Sequence, residues 1–384
     1  MTDASRASRF AWGPGDLRPV PDSLDSLGMR PLARRTPDQL IQGSEAAMAV
    51  GVPDIAGEVG NVVICGMGGS AFAGEALAAL PGGCRVPVAV NRSYALPAYV
   101  DARSFVVAVS FSGETEETLS SFRLARERGA RLVAIASGGT LEAFAREWGV
   151  PFVTVDGAIP QPRAAFGALF GALWTVMGRA GLMGLAEAEL PDAAGEVGDS
   201  AGKVRDAAGE LREAAEELRK SFLAAEKNLF IQDLAAKLYG KIPLVWGSEG
   251  FASAAATRFR TQVNENARMP AFSSVVPELM HNEVAGWGQL GDVTRQLVVA
   301  VALRHDYEHP QVARRFELLR EIAGESLCDM VEVRAAGSTA LAQFLDLVAG
   351  ADLVSLELAR EERIDPGPVP LLADLKRRLA DVPS

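Results

Sequence analysis

The stretch Val62-Val-Ile-Cys-Gly-Met-Gly-Gly-Ser-Ala-Phe-Ala-Gly-Glu75 decides the fold. Its apolar run, residues 62–65, stops at a glycine cluster and gives way to small residues that predict a helix. Strand, glycine turn and helix in that order define an α/β unit. The turn places free backbone N–H groups at a helix N-terminus, where anions bind. Gly66, Gly68 and Ala71 also satisfy the dinucleotide pattern Gly-x-Gly-x-x-Gly/Ala. The turn therefore suits either a nucleotide or a smaller phosphorylated ligand.

Working outward, residues 86–90, 104–109, 131–136 and 151–155 predict four further strands. The run at 104–109 is almost wholly apolar, as a strand covered on both faces should be. Helices are expected up to residue 128 and over 141–148 and 162–180. Strands alternating with helices predict a doubly wound, mostly parallel sheet. Residues 186–227 are rich in Ala, Glu, Asp and Arg. They read as a polar, solvated helical connector with a break at 195–202, although Leu211, Ala215 and Leu218 have helical spacing. A second cycle follows, with strands at 242–246, 296–303 and 329–333 and helices at 251–266, 310–323 and 339–360. The two halves share the order strand, Gly/Ser turn, helix, which reads as a pseudo-repeat. A Pro/Gly-rich hinge at 365–370 precedes a last basic helix at 371–380.

The chain of 384 residues is 48% hydrophobic and 23% charged, ordinary for a globular protein with real cores. Its formal net charge of -11 argues against nucleic acid or an anionic membrane as the main partner. The three cysteines, Cys65, Cys84 and Cys328, fit neither a disulfide framework nor a metal spacing, and Cys65 reads as a small buried hydrophobe. With only His281, His305 and His309 present, most histidine-rich metal sites are excluded. The absence of a signal-like apolar segment and of a run near ~20 apolar residues points to a cytoplasmic protein.

The nucleotide reading lacks its acid. The second strand ends at Asn91-Arg92, and no carboxylate follows until Asp101, so the ribose partner is missing. No P-loop occurs either. In contrast, Ser110, Ser112, Thr115 and Thr118 crowd the turn after the third strand, on the same C-terminal sheet edge as Gly68, Gly69 and Ser70. Hydroxyls with helix-start N–H groups suit a phosphate monoester. Helix capping by Ser112 would account for one or two of these hydroxyls, but not four in nine residues.

Gly66-Met-Gly-Gly-Ser70, Ser110-Phe-Ser-Gly-Glu-Thr-Glu-Glu-Thr-Leu119 and Gln161-Pro-Arg-Ala-Ala165 resemble segments of sugar-isomerase (SIS) domains. Together with Asn264-Glu-Asn-Ala267 and Pro277-Glu-Leu-Met-His-Asn-Glu283, they are similar to the bifunctional phosphoglucose/phosphomannose isomerases over about residues 25–380. The resemblance implies two SIS-type, flavodoxin-like α/β subdomains. It divides the chain into an arm (1–24), a phosphate-binding subdomain (25–185), the acidic connector (186–227) and a catalytic subdomain with a C-terminal helix (228–384).

It further implies aldose–ketose isomerisation of hexose 6-phosphates through a cis-enediol, without metal or cofactor, in a homodimer. Glu265 would shuttle the proton, His281 would assist ring opening, in its own or the neighbouring subunit's site, and Arg163 would steady the enediolate. Lys376 matches the family's C-terminal active-site lysine. Gly68, Gly69, Ser70, Ser110, Ser112 and Thr115 would hold the substrate, mainly its phosphate. A non-catalytic phosphosugar-binding regulator is the alternative, and the joint presence of Glu265 and His281 favours the enzyme. His305 and His309 read as surface residues. Glu114 departs from the family's usual asparagine, either facing the phosphate site or complementing a helix start.

Overall fold

The computed structural model describes residues 24–184 and 206–380. The break expected at 195–202, and all but the last residue of the expected arm, lie outside the described residues. Strands β1 (Asn61–Cys65), β2 (Val88–Asn91), β3 (Ser104–Val109), β4 (Arg131–Ala136) and β5 (Phe152–Thr154) form a parallel sheet in the order β2-β1-β3-β4-β5. Strands β6 (Ile242–Ser248), β7 (Phe272–Val276), β8 (Val298–Arg304) and β9 (Asp329–Arg334) form a second, in the order β7-β6-β8-β9. The shared order makes β6, β7, β8 and β9 the counterparts of β1, β2, β3 and β4. The repeat read from the sequence is thus a repeat of topology.

Side chains alternate across each strand, so each sheet has an inner and an outer face. Val62, Ile64, Phe105 and Val107 of the first sheet point into one core, and Val245, Val299 and Val301 of the second point into the same core. That core is filled by α3 (Gly68–Ala79), α6 (Phe166–Arg179), α9 (Phe251–Gln262) and the long α12 (Ala340–Glu361). Phe72, Phe166 and Phe344 form an aromatic column there, continued by Phe251 at 6.2 Å from Phe344. The outer faces are closed separately, by α4 (Glu116–Glu127) and α5 (Gly139–Trp148) on the first sheet and α11 (Pro310–Ala323) on the second. The two lobes therefore share a hydrophobic interior.

Three expectations need correction. Strand β7 was not anticipated. Its sequence, Phe-Ser-Ser-Val-Val, is short and half polar because it is a sheet edge with Phe272 and Val275 exposed. The segment expected to open β8 is instead helix α10 (Gly291–Leu297). The described part of the connector is not solvated: α7 (Ala207–Leu223) buries Leu211, Ala214, Ala215, Leu218 and Phe222, packed against α2 (Thr36–Met48), α6 and α12. The helical spacing marked a core face, and composition concealed it because the charges occupy the opposite side. Helix α8 (Ala225–Leu238) follows almost without a loop; short α1 (Met29–Arg34) and terminal α13 (Pro370–Ala380) complete the α-helices of the described residues.

Helices α2 and α6 cross at glycines. A Cβ on Gly171 would lie 2.2 Å from the Leu40 carbonyl oxygen, and one on Gly43 2.1 Å from that of Ala168. Both obstacles are backbone, so neither can swing aside. Gly171→Ala is expected to destabilise the protein by about 1–3 kcal/mol through overpacking, read as a lower urea midpoint at unchanged slope. An unshifted midpoint would show that this crossing is looser than described.

Candidate active site

The two turns singled out in the sequence meet. Helix α3 starts at Gly68, whose φ of 51° favours glycine, and no side chain caps it. Ser70 is buried, and its Oγ accepts from Phe111 N at 3.1 Å, tying the β1–α3 turn to the β3–α4 turn. Ser110 Oγ lies 2.9 Å from Thr115 Oγ1 and accepts from Gly113 N at 3.2 Å. Ser112 is exposed and accepts from Glu114 N at 3.2 Å, so it shapes the turn and does not cap α4. The N-cap of α4 is Thr115, whose side chain makes no capping bond. The first N–H groups of both helices are thus left without side-chain caps beside the hydroxyls of Ser70, Ser110, Ser112 and Thr115. Thr118 is buried in α4.

Glu114 is turned away from this concavity. Its carboxylate accepts from Thr140 N at 2.7 Å and Thr140 Oγ1 at 2.8 Å, complementing the start of α5. The helix start it serves belongs to the next strand–helix unit. Asn91, weighed for a ribose, donates to Ser93 O at 3.1 Å, Ala95 O at 3.1 Å and Ser121 Oγ at 2.9 Å, so it holds the loop after β2. Burial pushes the Cys65 thiol up to about 12, in keeping with a packing role.

Arg163 lies on a 3-10 turn, Pro162–Ala165, between β5 and α6. A Cβ on Gly69 would sit 3.3 Å from the Arg163 Cα, so the glycine turn rests on this arginine's backbone. The side chain, 5% exposed, runs toward the second lobe. Its Nε donates to Asn266 Oδ1 at 2.9 Å, its Nη1 to Gln161 Oε1 at 3.1 Å, and its Nη2 to Gly367 O at 2.7 Å and to Pro366 O. Nη1 also lies 3.6 Å from the Glu265 carboxylate, which is 35% exposed. Burial lowers the Arg163 pKa from its ordinary value; Glu265 acts in the opposite sense, while Arg258 and Arg268 add to the lowering.

Glu265 occupies a π-helical turn, Val263–Ala267, at the end of α9. Such a turn re-aims side chains that a continuing α-helix would place elsewhere. Asn266 anchors it, donating to Gln262 Oε1 at 3.0 Å and Ser355 Oγ at 2.9 Å. The sequence reading named Arg163 and Glu265 but missed Asn266 and Gln161. Their signal was membership of the same two motifs, Gln161-Pro-Arg-Ala-Ala165 and Asn264-Glu-Asn-Ala267, as the chosen residues.

The structure brings Gly68, Gly69, Ser70, Ser110, Ser112, Thr115, Arg163 and Glu265 into one contiguous region. His281 is elsewhere: it ends a 3-10 turn after edge strand β7, is exposed, and makes no side-chain hydrogen bond or ion pair among the described residues. Lys376 belongs to α13, but its side chain lies outside the described residues. A cavity of about 580 Å³, lined by Lys227, Phe230, Arg334 and Asp346 among others, shares no residue with this region. The chemistry-bearing groups, not the cavity, locate the site.

The matching turn of the second lobe is closed by its own side chains. Glu308 accepts from Arg304 Nε at 2.9 Å, Arg304 Nη2 at 2.7 Å and His305 N at 3.2 Å. His305 is buried, at 7% exposure, not at the surface as expected. Its Nδ1 accepts from Tyr307 N at 3.1 Å, which leaves Nε2 to donate to Ser248 Oγ at 2.8 Å. His309 is exposed and caps α11 through Gln311 N.

Two parallel sheets of one strand order, with paired glycine and hydroxyl turns at the C-terminal edge of the first, define a SIS-type α/β protein. The SIS domain model matches residues 58–147, and that of the bacterial phospho-glucose isomerase C-terminal SIS domain matches 231–379. The chain is 33% identical to the bifunctional phosphoglucose/phosphomannose isomerase of Caldicellulosiruptor bescii, over 90% of this chain and 97% of that protein. With the enzyme of the same name from Thermoplasma acidophilum it shares 31%, over 84% and 91%. The C-terminal domain of glucosamine-fructose-6-phosphate aminotransferase from Francisella tularensis has the same fold, with a TM-score of 0.69 at 15% identity, covering 88% of this chain and 98% of that one. The chain belongs to the bifunctional phosphoglucose/phosphomannose isomerase family.

Burial pushes the His305 pKa down to about 4, against the opposing pull of Glu308 and Asp306. The unfolded chain takes up this proton from about pH 6.5, the folded protein only near 4. Between those values the unfolded state binds more protons, so stability falls as pH is lowered. Urea midpoints should fall less steeply over that window in His305→Gln than in wild type. Parallel slopes would clear His305 of the acid sensitivity.

Proposed function

We propose that this chain interconverts aldose and ketose hexose 6-phosphates: glucose 6-phosphate or mannose 6-phosphate with fructose 6-phosphate. The observation that carries the reading is the Glu265–Arg163 pair, seated between the C-terminal end of α9 and the glycine turn. Glu265 is a carboxylate 3.6 Å from a buried guanidinium, which puts a base and a cation side by side. Glu265 takes the proton from C2 of the opened aldose and returns it to C1, or the reverse, through a cis-enediol. The positive charge of Arg163 stabilises the negative charge that develops on the enediolate oxygen. The phosphate lies at the uncapped starts of α3 and α4, held by backbone N–H groups with Ser70, Ser110, Ser112 and Thr115.

His281 and Lys376 complete the site in this reading, and a second copy of the chain supplies His281. Supporting this are the exposure of His281 at the second sheet's edge and of Phe272 and Val275 on β7 beside it. Helix α13 likewise leaves Leu371 and Leu375 exposed, as a segment packed by a partner would.

A coupled assay on both aldose phosphates, run with and without EDTA, tests the reading. Wild type should turn over in EDTA. Glu265→Gln should lose about 10²–10⁴-fold in kcat, the usual contribution of a positioned base. Ser112→Ala should raise KM about tenfold, the loss of one hydrogen bond to a charged group. Binding without turnover in wild type would instead indicate a sensor, and full activity in Glu265→Gln would remove it as the base.

Mixing tests the division of the site. Inactive Glu265→Gln and His281→Ala chains, exchanged into one dimer, should recover activity if His281 acts across the interface. No recovery would place His281 with its own chain's Glu265.

A further inference from the structure

We propose that Arg268, which the reading above gives no role, is a positioning residue for the isomerisation. It would fix the 365–368 hinge against the turn that bears Glu265, and through the hinge set the start of helix α13. The inference rests on the isomerase reading of the site.

Two guanidinium groups hold four consecutive hinge carbonyls. Arg163 Nη2 takes Pro366 O and Gly367 O, the latter at 2.7 Å. Arg268 Nη2 takes Asp365 O at 3.1 Å and Pro368 O at 2.8 Å. The hinge Asp365-Pro-Gly-Pro-Val-Pro370 has prolines at every second position, so it lacks the N–H groups needed to join a sheet, and its carbonyls must find donors elsewhere. The donors come from the two sides of the catalytic carboxylate: Arg163 Nη1 lies 3.6 Å from Glu265, and Arg268 follows Glu265 by three residues.

Arg163 has five N–H groups. They face Asn266, Gln161, Glu265 and the two hinge carbonyls. It therefore cannot loosen the hinge without disturbing the carboxylate, and Arg268 shares that restraint. The hinge is held from its other side as well. A Cβ on Gly367 would lie 2.7 Å from Leu27 Cγ, and Ser26 N donates to Asp365 Oδ1 at 3.3 Å.

Arg268 also occupies the left-handed region, at φ 54° and ψ 29°, where glycine is at ease and a branched-off side chain is not. A turn that needed only this backbone would be served better by glycine. An arginine there points to a use for its side chain, and the hinge carbonyls are that use. A strained backbone next to a reacting group is a recognised mark of function.

The test is Arg268→Gly in the full chain, with Arg268→Lys beside it. Glycine keeps the turn, so the melting temperature should match or exceed wild type. Its kcat should fall about tenfold or more, with KM for glucose 6-phosphate changed less than about threefold, the pattern of a lost transition-state arrangement. Lysine, with one donor nitrogen, should fall between glycine and wild type. In combination with Lys376→Ala, the glycine variant should lose less than the product of the two single effects, because both act through α13. Wild-type kcat in Arg268→Gly, or a kcat loss matched by a fall in melting temperature, would overturn the inference. Inactivity of wild type itself would instead overturn the isomerase reading.

Discussion

Arg258 is the joint on which the site depends. Its guanidinium is 2% exposed, forks onto Asp352 of α12 at 2.9 and 2.7 Å, and donates to the Arg163 carbonyl at 2.8 Å. Its other surfaces lie near the rings of Phe72 and Phe166, at 5.2 and 5.1 Å. A charge taken this far from water persists only with near-complete compensation; removing one partner of such a pair costs about 3–5 kcal/mol. Here the compensation comes from both lobes at once. Arg258 belongs to α9, which ends in the Glu265 turn, while the carbonyl it holds belongs to the arginine on which the glycine turn rests. One buried contact thus fixes the distance between the proposed anchor and the proposed chemistry.

That arrangement explains why the proposed reacting groups are far apart in sequence yet close in space. A phosphate cradle needs a turn between strand and helix, where N–H groups are free. A base needs a side chain aimed across that turn, which a turn cannot supply to itself. The first lobe contributes the proposed cradle and Arg163, and the second contributes Glu265, the proposed base, from the end of the helix facing α3. The shared core makes the second lobe a wall of the first lobe's site.

Much of this could be read from the residues. The alternation of apolar runs with glycine and serine turns was enough to place β1, β3 and β4, because buried parallel strands leave a continuous apolar signature. The hydroxyls at Ser110, Ser112 and Thr115 marked the second turn for the same reason that they form it: Ser110 and Ser112 accept from backbone N–H groups where the ladder ends, and Thr115 bonds to Ser110. Edge strand β7 and helix α7 were misread because each exposes one side, and composition averages over both. His305 was misread because its burial comes from Phe251 and Ser248, which are distant in sequence. The Arg268 and Arg163 contacts with the hinge escaped for a further reason: the acceptors are main-chain carbonyls, and carbonyls have no letter in a sequence.

The second lobe's closed turn has a consequence for the stoichiometry of binding. Glu308 holds its place on Arg304 as a tethered counter-ion, its effective concentration set by the four-residue tether. An outside anion would have to evict a carboxylate that cannot diffuse away. Of the two repeats of this architecture, the second thus holds its turn in shape with an anion of its own, and the proposed phosphate site belongs to the first.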